Sequence, residues 1–341
     1  MGAGLDEVIK DINKKAKTEL ISKGVSTHDY EKIPFTSPRM NYMTFGGITE
    51  GRLIEFYGEN QSGKTTTALD VVANFQNKYP DREVLYVDIE HTFDAVWATK
   101  IGVDVDRVYL VEPENQSAEE LFEIVCKAVD TGDVGLWVID SIGALQSQQE
   151  FDKEIGERTY GGVSMALTRF VKKVDQLHHK HNCTGIGINQ TREDLNSQWG
   201  GTTTPGGKAW KFMCSIRIEF KMGKFFDDKG NELTRSAENP AGNFIMASVV
   251  KNKTAPPSRR IGQYRIRYDS GIDYFADLID VAMLYNIVDK RGAWYSIIDI
   301  ETGEVLRDKM QGIQSVYDVF NDDLELLQRV EDMIADKERD E

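Results

Sequence analysis

Residues Gly58-Glu59-Asn60-Gln61-Ser62-Gly63-Lys64-Thr65 spell G-x-x-x-x-G-K-T, and no other stretch limits the fold of this chain so strongly. A loop of this kind works between a buried strand and the first turn of a helix. Its glycines let the backbone wrap a phosphate, and the free amides and helix dipole favour an anion. The flanks suit that arrangement. Residues 53–57 are apolar and β-rich, and from Thr66 onward apolar residues recur at helical spacing. Lys64 is expected to reach the β- and γ-phosphates of ATP, and the Thr65 hydroxyl to hold Mg²⁺. Gly58, Glu59, Asn60, Gln61, Ser62, Gly63 and Thr66 form the rest of the cradle.

Strand and helix signals alternate on both sides of this loop. Strands are expected at 53–57, 84–88, 108–111, 136–140, 185–189, 215–220, 244–250 and 264–268, with helices at 65–78, 92–101, 117–130 and 161–181. Nearly continuous apolar strands separated by helices predict an α/β core with a buried, mostly parallel sheet. The later strands follow one another without long helices, which predicts an antiparallel edge. An amphipathic helix at 5–23 precedes the core, and 37–45 reads as a short capped helix ended by glycines. Beyond 271 a helix at 273–288 and another at 321–338 predict a small C-terminal unit. The organisation is thus 1–33, 34–271 and 272–341. Periodicity is lost from 182 to 207, and a loop of that length in a compact domain is normally functional.

Lys and Arg total 41 against 56 Asp and Glu, a formal charge of −15, which alone argues against a nucleic-acid partner. The distribution argues otherwise. Between 251 and 268 lie Lys251, Lys253, Arg259, Arg260, Arg265 and Arg267 with no acidic residue, whereas 316–341 carries ten acidic and three basic residues. No apolar run approaches a membrane span and the N-terminus lacks a signal-peptide pattern, so a cytoplasmic protein with no membrane partner is expected. Three separated cysteines fit reduced thiols.

Several strand ends carry further chemistry. The apolar run 136–139 ends in Asp140, placed to hold Mg²⁺ beside Thr65. Glu90 follows another strand and can polarise a water for attack on the γ-phosphate, while Asp88 reads as a loop cap. Gln190 ends a third strand, where it either senses a γ-phosphate or is simply a polar loop residue. His178, His179 and His181 lack partners at metal-ligand spacing and read as a solvent-exposed helix end.

Taken together these motifs resemble the RecA family of bacterial and phage recombinases from about 37 to 296. Beside the phosphate loop and the Asp140 strand, the most specific matches are Val249-Val250-Lys251-Asn252-Lys253 and Gly292-Ala293-Trp294-Tyr295-Ser296. The resemblance implies a RecA-type ATPase core with an N-terminal helix and a small C-terminal α/β unit. It implies a DNA-dependent ATPase that forms a helical filament on single-stranded DNA and exchanges strands with homologous duplex DNA. By position it implies Glu90 as the water-activating carboxylate and Gln190 as the γ-phosphate sensor. Lys251 and Lys253 match residues that reach ATP held by the adjacent subunit. Asp94 and Trp97 match adenine contacts, and Tyr268 matches a residue near the nucleoside.

For DNA, the resemblance implies a first loop at about 154–160, including Tyr160, and a second at 191–207. In the second, Arg192, Leu195 and Trp199 match DNA-facing positions, and Leu195 matches an apolar wedge between bases. Gly206 and Gly207, with Lys208 beside them, open a helix whose amides can take a DNA phosphate. Thr168 and Lys172 match backbone contacts, and Phe212 matches a subunit-interface position. The chain departs from the family at Met165, where Arg is common, and at Glu193 and Asp194, which make the second loop acidic. Two rivals share the core. A ring-shaped helicase is disfavoured by the two lysines and the short N-terminal helix, and an ATP-gated DNA-coating scaffold with little turnover by Glu90.

Overall fold

The computed structural model describes residues 3–17, 20–21, 30–154, 161–193, 202–234 and 236–340. It falls into two compact units, Met1–Glu31 and Lys32–Glu341. The first holds the helix Ala3–Ala16, shorter than the 5–23 expected from periodicity; Lys17 adopts a left-handed backbone at its end (φ 56°). The Asn13 side chain both donates to and accepts from the backbone of Ile21, at 2.8 Å each way.

The second unit is built on one large sheet. Six strands run parallel in the order Val108–Val111, Glu83–Asp88, Val134–Asp140, Thr184–Gln190, Leu53–Gly58, Ile216–Phe226. Gly242–Asn252, Ile261–Arg267 and Gly271–Ile272 continue it antiparallel, and Glu232–Leu233 pairs with the far end of Ile216–Phe226. This is the mostly parallel α/β sheet with an antiparallel edge that the strand–helix alternation predicts. The hairpin at 216–252 runs further than the apolar signal, because beyond Phe220 the strand turns polar and half-exposed.

Alternate residues of each strand feed two cores. Ile54, Phe56, Val84, Tyr86, Leu136, Val138, Ile186 and Ile188 pack with the helix Lys64–Lys78. Leu53, Leu85, Val87, Trp137 and Ile139 pack with Ala118–Asp130 and Gly162–His181 on the opposite face. Ser117 opens Ala118–Asp130 with a capping box closed by Glu120. Cys126, Cys183 and Cys214 are free and buried. Among the described residues no helix is long and apolar enough to cross a membrane.

A third cluster surrounds Phe320, Tyr295 and Ile297. Here the helix Tyr274–Leu284 ends earlier than the expected 288, since Asn286 turns left-handed (φ 60°). A three-stranded antiparallel sheet follows (Val288–Arg291, Trp294–Ile298, Val305–Gln311), then Ile313–Asp322 and Leu324–Asp340. Two of these strands and the first of the two helices carry no clear signal in sequence.

His178 corrects the expectation of an exposed histidine run. It is fully buried, and its Nε2 accepts from Trp137 Nε1 at 2.9 Å. The helix ends at His181, so His178 lies one turn inside it, on the face toward the sheet. Burial pushes its pKa down to about 3. The unfolded chain therefore binds a proton below about pH 6.5 that the folded chain refuses down to about pH 3, and stability falls as pH falls through that window. Between pH 7 and pH 5 this imidazole alone costs about 2 kcal/mol. Denaturant unfolding should show the wild type losing that much more than a His178→Gln variant over this range. Equal losses would mean that the imidazole protonates in the folded state.

Candidate nucleotide site and DNA-loop stem

The phosphate loop leaves the carboxyl end of Leu53–Gly58 and enters Lys64–Lys78 directly. Gly63 caps that helix in a left-handed conformation (φ 80°, ψ 9°), and no side chain caps its first amides, which are the donors a phosphate uses. The left-handed torsion favours glycine here, and a Cβ would lie 2.8 Å from Ile266 Cδ1, which would have to give way. Ser62 Oγ and Lys64 Nζ donate to the Glu59 carbonyl at 2.7 and 2.6 Å. Lys64 is 7% exposed, and burial holds its pKa below the ordinary lysine value. An ammonium buried against neutral hydrogen-bond acceptors favours an anion brought beside it.

Strand register assembles the rest. Gly58 pairs with Gln190 and Asp88 with Asp140, so these residues end neighbouring parallel strands at the carboxyl edge. Thr65 Oγ1 donates to Asp140 Oδ2 at 2.7 Å, and Tyr86 OH to the same oxygen at 3.1 Å. Burial pushes the Asp140 carboxyl up to about 6. A hydroxyl and a buried carboxylate in contact fit Mg²⁺, which takes the remainder of its oxygen shell from phosphate and water. Among the described residues no cluster of three His, Cys, Asp or Glu is arranged to hold a metal by itself. Asp88 accepts from the Phe93 amide at 2.7 Å, the loop cap expected of it.

Glu90 and Gln190 meet directly. Gln190 Nε2 donates to Glu90 Oε1 at 2.6 Å, and Ser141 Oγ donates to the same oxygen. Beside Gly63 a pocket of about 380 Å³ is lined by Trp97, Tyr268, Asn243, Ile266, Met222 and Phe225. Asp94 caps the helix Ala95–Ile101 through the amides of Val96 (2.8 Å) and Trp97 (3.0 Å), and Tyr268 OH donates to Asn243 Oδ1 at 3.0 Å. Met222, Phe225 and Asn243 escape sequence reasoning because they stand on the 216–252 hairpin, beyond its apolar core. A larger cavity of about 450 Å³, lined by Phe35, Leu278 and Ile334 among others, shares no residue with the loop.

The base of the second-loop region carries a strand ladder that its composition does not suggest. Arg192–Glu193 and Thr202–Thr203 form an antiparallel two-residue stem directly after Gln190. Arg192 Nη2 donates to the Gly143 carbonyl at 2.9 Å, and Lys211 Nζ to Thr203 Oγ1 at 2.7 Å. The chain then turns through Gly206 and Gly207, both left-handed, into the helix Gly207–Met213. Trp210 from this helix is fully buried against Gly187, where a side chain would meet its ring. Gly207 abuts Ser164, and Thr168 and the exposed Lys172 continue the same face of Gly162–His181. Lys208 is exposed. Tyr160, Asp194, Leu195 and Trp199 lie outside the described residues.

Lys251 and Lys253 stand two strands away from the phosphate-loop strand, level with Glu55 and with its start respectively. Lys251 donates to the carbonyls of Lys211 and Phe212 at 2.8 Å each, and Lys253 to that of Phe212 at 2.9 Å. Both ammonium groups lie over the Phe212 ring, which is 74% exposed.

A phosphate loop at the carboxyl edge of a parallel sheet, with Thr65 and Asp140 in contact beneath it, defines a P-loop nucleotide-binding protein. The comparisons narrow this class. Residues 3–273 match the family model of the RecA N-terminal domain and 276–339 that of the RecA C-terminal domain. Three bacterial relatives bear the name Protein RecA. That of Ruminococcus albus is 36% identical over 278 residues, covering 81% of this chain and 67% of its own. That of Staphylococcus carnosus is 33% identical over 326 residues (95% and 83%), and that of Staphylococcus aureus 36% over 300 (86% and 82%). The chain belongs to the RecA family of recombination proteins.

Lys64 offers a direct test of the phosphate cradle. Its buried ammonium contributes little to the unliganded fold, so Lys64→Ala should leave the thermal midpoint without nucleotide unchanged or raised. Nucleotide at a hundred times its Kd stabilises a protein by about 2.7 kcal/mol, and the variant should lose that increment. A nucleotide-induced rise of midpoint equal to that of wild type would place the phosphates elsewhere.

Proposed function

We propose that the protein is a DNA-dependent ATPase that assembles as a helical filament on single-stranded DNA and carries out homologous pairing and strand exchange. The hydrogen bond from Gln190 to Glu90 carries this reading, because it joins the candidate catalytic carboxylate to the residue from which the second-loop stem departs. Lys64 and the first amides of its helix bind the β- and γ-phosphates of ATP. Thr65 and Asp140 hold Mg²⁺, which when bound offsets phosphate charge and orients the terminal group. Ser141 and Gln190 both occupy Glu90 Oε1, so Oε2 is the oxygen that orients water and takes its proton. Trp97 and Tyr268 offer flat faces to the base.

Gln190 has two partners to choose between. It bonds Glu90 in one state and the γ-phosphate in the other, and the stem that follows it responds. DNA phosphates are taken by Gly206, Gly207, Lys208, Thr168 and Lys172, and the Arg192 stem holds the loop that contacts the bases. Strand exchange itself is base pairing, for which the filament supplies backbone contacts.

The position of the lysines supports ATP shared between subunits. The Lys253 amide bonds Ser215, whose own amide bonds Leu53, so Lys253 stands level with the start of the phosphate-loop strand. Gly58 lies five residues further on, about 16 Å along the strand. A lysine side chain does not span that, and the Lys251 ammonium is held with that of Lys253 at the Phe212 carbonyl two strands away, so a neighbouring subunit's ATP becomes the natural target of both.

In a phosphate-release assay with single-stranded DNA, Glu90→Gln should keep nucleotide and DNA binding but lose about 10²–10⁴-fold in turnover. Near-normal turnover would remove Glu90 from the reaction. Mixing Glu90→Gln with Lys253→Ala protein should restore part of the activity, since some interfaces then carry both intact groups. No recovery at any ratio would argue that the lysines do not act across the interface.

A further inference from the structure

The Glu55 carboxylate is wholly buried on the phosphate-loop strand, among residues that are otherwise apolar. Each of its oxygens has its own donor. Asn189 Nδ2 donates to Oε1 at 2.9 Å and Arg217 Nε to Oε2. Asn189, also fully buried, sends a second Nδ2 bond to the Pro205 carbonyl at 3.0 Å, and its Oδ1 accepts from the Gln190 amide at 3.0 Å. Arg217 lays its guanidinium over Tyr57 at 4.8 Å and extends Nη2 toward Thr204 Oγ1 at 3.4 Å. Strand register brings these groups together, with Arg217 opposite Glu55 and Asn189 opposite Tyr57. One cluster thus grips the phosphate-loop strand, the root of Gln190 and the exit of the second-loop stem.

We propose that Asn189, held by Glu55 and Arg217, is a positioning residue that transmits the state of Gln190 to the second loop. The proposal rests on the function argued above. Asn189 is the pivot because a single carboxamide serves both sides. When Gln190 turns between Glu90 and the γ-phosphate its amide shifts, and the carboxamide bonded to that amide carries the shift to Pro205. Glu55 fixes the direction of the pivot. Its carboxylate accepts only, so the Asn189 nitrogen faces Glu55 and Pro205 and the oxygen faces Gln190. An apolar residue at position 55 would pack equally well in the sheet. The buried charge is accounted for by the orientation it imposes on Asn189.

The test uses Asn189→Ala and Glu55→Gln in the full-length protein. Glu55→Gln turns one acceptor into a donor, which then opposes either Asn189 or Arg217. For each variant, basal ATP turnover, DNA-stimulated turnover and single-stranded DNA affinity are measured, the last with a slowly hydrolysed ATP analogue and with ADP. ATP KM and basal turnover should stay within about twofold of wild type. The DNA needed for half-maximal stimulation should rise about tenfold, and the affinity ratio between analogue and ADP should fall about tenfold toward one. A purely structural role would lower the thermal midpoint and the active fraction alike in both nucleotide states and leave the ratio intact, and that result overturns the proposal. Thr204→Val keeps the volume and touches only the loop side of the cluster. A ratio lowered about threefold supports the relay, and a wild-type ratio in all three variants overturns it. Equal DNA affinity with analogue and ADP in the wild type would overturn the parent reading and the relay together.

Discussion

The in-register parallel pairing of Leu53–Gly58, Thr184–Gln190, Val134–Asp140 and Glu83–Asp88 is the constraint on which the rest of the molecule depends. Parallel strands begin at one edge and end at the other, so groups at four separate chain positions arrive at the same carboxyl edge, Asp88 level with Asp140 and Gln190 level with Gly58. The strand ends differ in chemistry: a glycine that opens the phosphate loop, an amide, and two carboxylates. Both faces of this sheet are sealed by helices, and that burial gives the edge its electrical character. It lifts the Asp140 carboxyl and lowers the Lys64 ammonium. Each charge is left better disposed toward a ligand of opposite sign than it would be in water.

What the sequence made legible was local. The phosphate loop is eight consecutive residues with apolar flanks, Asp140 ends an apolar run, and the periodicities of the core strands and helices are strong enough to place most elements within two or three residues. What stayed hidden depends on long-range pairing. The 192–193/202–203 stem consists of polar residues whose ladder exists only because Gln190 and Gly206 are held by the sheet and by Trp210. The three-stranded C-terminal sheet has strands such as Val305–Gln311 that bury a single side chain, Met310, so alternation is too faint to read. His178 is hidden for the opposite reason. Three histidines in four positions imitate a polar helix end, and only the partner strand reveals that one of them faces Trp137. The Glu55 cluster likewise joins residues up to 162 positions apart, and nothing near Glu55 in sequence announces a cation.

The short helix Gly207–Met213 connects the two halves of the proposed function. At its amino end stand Gly206 and Gly207, beside the second-loop stem. Its carboxyl end carries Lys251 and Lys253, whose ammonium groups occupy the carbonyls of Lys211 and Phe212. Cations belong there, since the last carbonyls of a helix are its negative pole. Burial nevertheless pushes Lys251 down to about 8, with Lys253 as the neighbouring positive charge. Two ammonium groups crowded on one helix end are held less firmly than one would be, and a polyphosphate offers both a stronger partner than neutral carbonyls. Trp210 makes the consequence mechanical, because its indole is locked between this helix and the strand that ends in Gln190. If the proposed partner draws the lysines away from Phe212, the capping of this helix would change, and Trp210 would pass any shift to that strand. On the proposed function, a neighbouring subunit's nucleotide and the chain's own DNA loop would act on opposite ends of this one short helix, and a coupling between them would need no path longer than its seven residues.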